Sequence, residues 1–79
     1  MYVWKIVLLN GKEYLVESAI QDSLQMSRFI FGEHPGDVSV SHCKLFKDDK
    51  NGCNSVFFIN TAVASVEFNF KKEVTNNEF

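Results

Sequence analysis

Apolar and polar side chains alternate with a period of two over most of this chain, and that spacing predicts strands. The first runs from about Tyr2 to Leu9, with Tyr2, Trp4, Ile6 and Leu8 on one face and Val3, Lys5, Val7 and Leu9 on the other. Asn10-Gly11-Lys12 follows, and Asn-Gly between apolar runs predicts a tight hairpin built on a type I′ turn. The second strand, Glu13 to Glu17, sets Tyr14 and Val16 against Glu13, Leu15 and Glu17. A third, within residues 38–46, sets Val38, Val40 and His42 against Ser39, Ser41, Cys43 and Leu45. One side is apolar and the other mostly hydroxyl, as suits an edge or half-exposed strand. The fourth, about Ser55 to Ile59, is apolar on both faces. After a tight turn at Asn60-Thr61-Ala62, the fifth alternates Ala64, Val66, Phe68 and Phe70 with Val63, Ser65, Glu67 and Asn69.

Between Ser18 and Gly32 the period lengthens to that of a helix. Ile20, Leu24 and Phe31 fall near one face, and Met26, Phe29 and Ile30 widen the stripe. Ser18 followed by Gln21 fits a capping box, while Asp22 offers a cap for a helix that starts later; Gly32 is the stop. Glu33 to Asp37 and Lys47 to Gly52 read as loops, from their Pro, Gly and Asn content. The expected architecture is α+β in the order β-β-α-β-β-β. It is a twisted antiparallel sheet, or a partly closed small barrel, with one packed helix. Residues 1–71 form a single domain, and residues 72–79 a frayed tail.

At 79 residues the chain has room for one core, which at this size supplies only about 3–5 kcal/mol of net stability. Self-association is a common supplement. The net charge of −2 and the scatter of the cations (Lys5, Lys12, Arg28, Lys44, Lys47, Lys50, Lys71 and Lys72) do not make the basic stripe that nucleic-acid binding uses. The apolar N-terminal run is too short to span a bilayer and has no basic lead-in or cleavage site, so a cytoplasmic protein is expected.

Candidate chemistry is sparse. His34, His42, Cys43 and Cys53 lack the paired spacing of a zinc site, and His42 and Cys43 point to opposite faces of one strand. A turn centred near Lys50 misaligns Cys43 and Cys53 for a disulfide, so two reduced thiols are expected. No spacing matches a nucleophile with its base or a phosphate-binding loop. The sequence therefore points away from an enzyme and implies no metal or cofactor.

What it has in excess is apolar strand surface. The first and fourth strands are greasy on both faces, and one helix covers only one of them. The expectation is a protein-binding module that self-associates, as a homodimer, or docks on a larger protein. Trp4, Val7, Leu9, Phe57 and Ile59 are the candidate contact residues. The alternative is a small nucleic-acid-binding barrel in which Tyr2, Trp4 and Phe57 stack on bases while Lys5 and Lys12 meet phosphate.

Two resemblances bear on this. Residues 56–68, VFFINTAVASVEF, resemble the second signature of Sm-like proteins, with Ile59-Asn60-Thr61 in the turn and Val63 and Val66 following. That likeness implies two apolar strands side by side in a small ring-forming barrel. The basic turn residue with which Sm proteins hold RNA has no counterpart here, so no RNA-binding role carries over. The pairing of an N-terminal hairpin (Asn10-Gly11-Lys12-Glu13-Tyr14-Leu15-Val16) with a C-terminal one (Ile59 to Phe68) is similar to small uncharacterised proteins of Gram-positive bacteria and their phages. It implies a compact phage or mobile-element accessory protein that binds and inhibits a host or defence factor.

Overall fold

A computed structural model describes residues 1–34, 36–47, 52 and 54–71. Along the chain come β1 (Tyr2–Leu8), β2 (Glu13–Ser18), α1 (Ser23–Phe31), β3 (Val40–Leu45) and β4 (Ser55–Ile59). A single 3₁₀ turn (Asn60–Ala62) then leads to β5 (Val63–Lys71). The five strands form one antiparallel sheet in the order β4-β3-β2-β1-β5. This is an α+β domain with one helix, as the periodicity predicts. Pro35, Cys53, most of the Lys47–Gly52 loop and the 72–79 tail lie outside the described residues.

The first hairpin forms where Asn-Gly places it, but not with a type I′ turn. Gly11 alone takes positive φ (87°); Asn10 does not. Gly11 N–H donates to the Leu8 carbonyl (2.9 Å), and Leu8 N–H to the Lys12 carbonyl (2.8 Å). This is a three-residue loop whose last position, glycine, takes the left-handed conformation. The Asn10 side chain accepts from Lys12 N–H (2.9 Å), which suits an Asn at negative φ.

The helix takes the later of its two possible starts. Asp22 accepts from Leu24 N–H (3.2 Å) as N-cap, whereas Ser18 ends β2 and bonds Ile20 N–H (3.0 Å). Starting late leaves only nine residues, and only Met26 and Ile30 are buried. Leu24, Phe29 and Phe31, expected in the packed stripe, are exposed.

Those two helical residues meet the inner face of the sheet: Trp4 and Ile6 of β1, Val16 of β2, Cys43 and Leu45 of β3, Phe58 of β4 and Val63 of β5. Burying each large apolar side chain contributes about 1.5–3 kcal/mol. Trp4 Nε1 donates to the Ile20 carbonyl (2.9 Å), which satisfies its one polar atom and ties the β2–α1 connection to the core.

β4 and β5 do not make the expected hairpin. They occupy opposite edges of the sheet, although only Asn60, Thr61 and Ala62 join them. The four steps from Ile59 to Val63 reach at most about 14 Å. The edges of a flat five-stranded sheet stand about 19 Å apart. The sheet must therefore bend sharply. Asn60 holds the bend: its side-chain amide donates to the carbonyls of Phe31 (3.2 Å) and Asp37 (2.7 Å) and accepts from Ser39 N–H (3.2 Å).

β5 also departs from simple alternation. Its pairing with β1 slips twice, between Val3 and Trp4 and between Val7 and Leu8. Each slip inserts a residue and flips the face of those that follow. Val63 and Val66 thus both reach the core, and Phe68 meets Trp4 edge-on (5.2 Å between ring centroids). Phe70, two residues on, pairs with Val3 on the opposite face.

Candidate interaction surface

The outer face of the sheet has two parts. Around β1 it is sealed: the rings of Phe46 and Phe70 meet edge-on (5.3 Å) on the side to which Val3 points, and Val3 is fully buried. Lys5 and Glu13 form an ion pair nearby (3.1 Å), and the Glu13 carboxylate raises the Lys5 pKa. Lys44 reaches Glu17, which is buried (3.7 Å). This part is closed by aromatic contacts and opposite charges.

The β3–β4 hairpin is different. Its two strands are in register, with Val40 opposite Ile59 and His42 opposite Phe57. These four side chains share the outer face, with Val38 just before it. Phe57 is 69% exposed and Val40 65%; Val38 and Ile59 are exposed as well. The His42 ring stacks on Phe57 (4.4 Å, 16°), covering one side of that ring and leaving the other to water. Exposed apolar surface on the order of several hundred Å² generally marks an interaction site.

β3 explains how this came about. Its hydroxyl-rich side, Ser41-Cys43-Leu45, faces the core, and its valines face out. Ser41 Oγ donates to the Phe29 carbonyl (3.2 Å), so the serine can be buried. Burial pushes the Cys43 thiol up to about 11. With the inner side filled by small residues beneath the helix, the valines have no inner place.

Charge is confined to one end of the hairpin, where Lys44 pairs with Glu17. From Asn51 to Val66 the sequence has no Asp, Glu, Lys, Arg or His, and from Val38 to Cys43 only His42. Depletion of charge at the centre of a patch is a mark of interfaces.

The structure sorts the five expected contact residues apart. Phe57 and Ile59 share the hairpin face. Leu9 is exposed in the first turn, where its N–H bonds the Ala62 carbonyl (2.9 Å). Val7 is half-buried on β1, two strands away from β3. Trp4, expected as surface, is 2% exposed in the core, because its ring is the platform on which β5 and the helix connection pack. Val38, Val40 and His42 were missed. Their shared parity was visible in the sequence, but not which side of β3 faces the core.

The residues of the nucleic-acid alternative are not brought together. Tyr2 and Trp4 lie on the inner face, and the Tyr2 hydroxyl donates to Gln21 (3.2 Å). Phe57 lies on the outer face. Lys5 is paired with Glu13, and Lys12 sits over the Tyr14 ring (5.7 Å). Among the described residues no three His, Cys, Asp or Glu side chains cluster, and no helix is long and apolar enough to cross a membrane. A shallow depression beside the helix C-terminus is lined by Phe31, His34, Asp37 and Asn60, and the Asn60 amide there is already committed to the bend.

Comparison with known proteins returned no match among family models, curated proteins or solved structures.

Proposed function

We propose that this chain is a non-enzymatic, cytoplasmic protein-binding module that self-associates through the outer face of its β3–β4 hairpin. A sheet rolled partway toward a small barrel presents that face. The observation that carries this reading is Phe57: a large aromatic left mostly in water, stacked on His42 and flanked by Val40 and Ile59, in a charge-free stretch. The likeness to small phage and bacterial proteins supports a role as a mobile-element accessory protein that binds and inhibits a host or defence factor.

The test is Phe57→Glu, followed by thermal unfolding and by size-exclusion chromatography with light scattering. The variant is expected to keep the wild-type unfolding temperature and to lose association. Unfolding of the variant would place Phe57 in the core and end the reading, as would association that survives it.

A further inference from the structure

The ladder between β3 and β4 fixes which way each backbone group of β4 points. Leu45 N–H bonds the Asn54 carbonyl (2.8 Å) at one end, and Asn60 N–H bonds the Ser39 carbonyl (2.9 Å) at the other. Both belong to the same register as Val40 opposite Ile59. Hydrogen-bonded pairs alternate along an antiparallel ladder, so Val56 and Phe58 turn their N–H and C=O groups toward β3. Phe57, between them, turns its own off the outer edge, where no other described strand pairs with β4.

Open edges are usually blunted by charges, proline, bulges or a covering element. β4, Ser-Val-Phe-Phe-Ile, has no charged residue and no proline, and its ladder with β3 runs without a slip. The helix packs on β5, β3 and the 3₁₀ turn. β5, at the far edge, carries Glu67 and Lys71 and two register slips.

On the reading that the hairpin face binds protein, we infer that its occupant is a second copy of this chain, joined β4 to β4 antiparallel about a two-fold axis at Phe57. Phe57 and the partner's Phe57 exchange N–H and C=O groups. Val56 then lies opposite the partner's Phe58 on the inner face, and Ser55 opposite the partner's Ile59 on the outer face. A two-fold interface demands a self-complementary surface. This one qualifies because every cross-strand pair joins uncharged residues, so two copies of an acidic protein meet here without like-charge repulsion. Pairing with β5 of another copy would instead meet the slips and charges of that edge.

A five-residue ladder flanked by Val40, Phe57 and Ile59 makes a small contact, of the kind typical of weak, reversible association, so the dimer is expected in the micromolar range.

Directly opposite residues in a hydrogen-bonded pair have Cα atoms about 5.5 Å apart, within disulfide reach. In a Cys53→Ser background, Phe57→Cys should oxidise to a covalent dimer, while Val40→Cys and Ile59→Cys alone should not. Because Phe57→Cys also removes the ring, a second arm keeps it: Ser55→Cys mixed with Ile59→Cys should cross-link, and neither should alone. Sedimentation of the unmodified chain should show a monomer–dimer equilibrium across 1 to 300 μM (about two decades around the expected constant). A dimer that Phe57→Glu dissociates, but that cross-links no better at position 57 than at 40 or 59, overturns the edge pairing and leaves the binding face standing. A chain that stays monomeric throughout overturns both the pairing and self-association. An unfolded Phe57→Glu variant overturns the binding face itself.

Discussion

The sheet has two edges built on different plans. β5 is long, slips twice against β1, bears Glu67 and Lys71, and lays Phe68 against Trp4. β4 is short, in even register and uncharged, and holds Phe57 out over His42. Phe68 and Phe57 are 48% and 69% exposed, so exposure alone barely separates them. Their neighbours do. One ring rests on the largest side chain of the core, and the other on an exposed imidazole that covers a single face. An exposed aromatic is therefore informative only once its contacts are known, and of the two edge strands it is β4 whose ring stays off the core.

This contrast can be broken at several points. The largest effect is expected at Trp4, the platform for β5: Trp4→Ala should cost about 3–5 kcal/mol in urea unfolding, enough to leave the chain largely unfolded. Next is Asn60, which holds the bend that sends β4 and β5 to opposite edges. Asn60→Leu strands the carbonyls of Phe31 and Asp37 and should cost about 2–4 kcal/mol. A loss below the scatter of the measurement would mean that the bend is held elsewhere.

The direct comparison is Phe68→Ala against Phe57→Ala. The first loses an edge-on contact with Trp4 and part of its burial, and should cost about 1–2 kcal/mol. The second should stay within about 0.5 kcal/mol, as for surface changes generally. Equal costs would erase the distinction between the edges.

The smallest effect lies beneath β4. Cys43 is opposite Val56, and burial pushes its thiol from 9.0 to about 11. The unfolded thiol ionises first, so the stability this group lends is fully present below about pH 9 and is lost as pH rises to about 11. Wild type should lose stability relative to Cys43→Val across that window, and parallel curves would show that the inner face of β4 is wet.

Much of this fold was legible in the chain. Strand positions, the Asn-Gly hairpin and the Gly32 helix stop follow from local periodicity and turn chemistry. Ser55 to Ile59 is apolar on both faces in the sequence, and that is the strand whose surplus side reaches water. Local reading fails where a distant contact overrides a local rule, as it does for the expected β4–β5 hairpin. Trp4 looked like surplus surface until Ile20 and Phe68 closed on it. Val63 and Val66 looked like opposite faces until the slips in β5 turned both inward. The alternation in β3 puts its valines on one side and leaves open which side faces in; the helix, through the Phe29 carbonyl and Ser41, makes theirs the outer one.

The sequence by itself determined which residues pair their periodicities into strands and helix, because steric preference and turn geometry act over a few neighbours. Which strands become edges, and which faces stay wet, was left to the tertiary structure. The backbone of the turn is committed elsewhere: Asn60 N–H bonds the Ser39 carbonyl and the Ala62 carbonyl accepts from Leu9 N–H, so β4 stays with β3 and β5 with β1. Those partners lie more than twenty residues away along the chain, and they put β4 at an edge of the sheet.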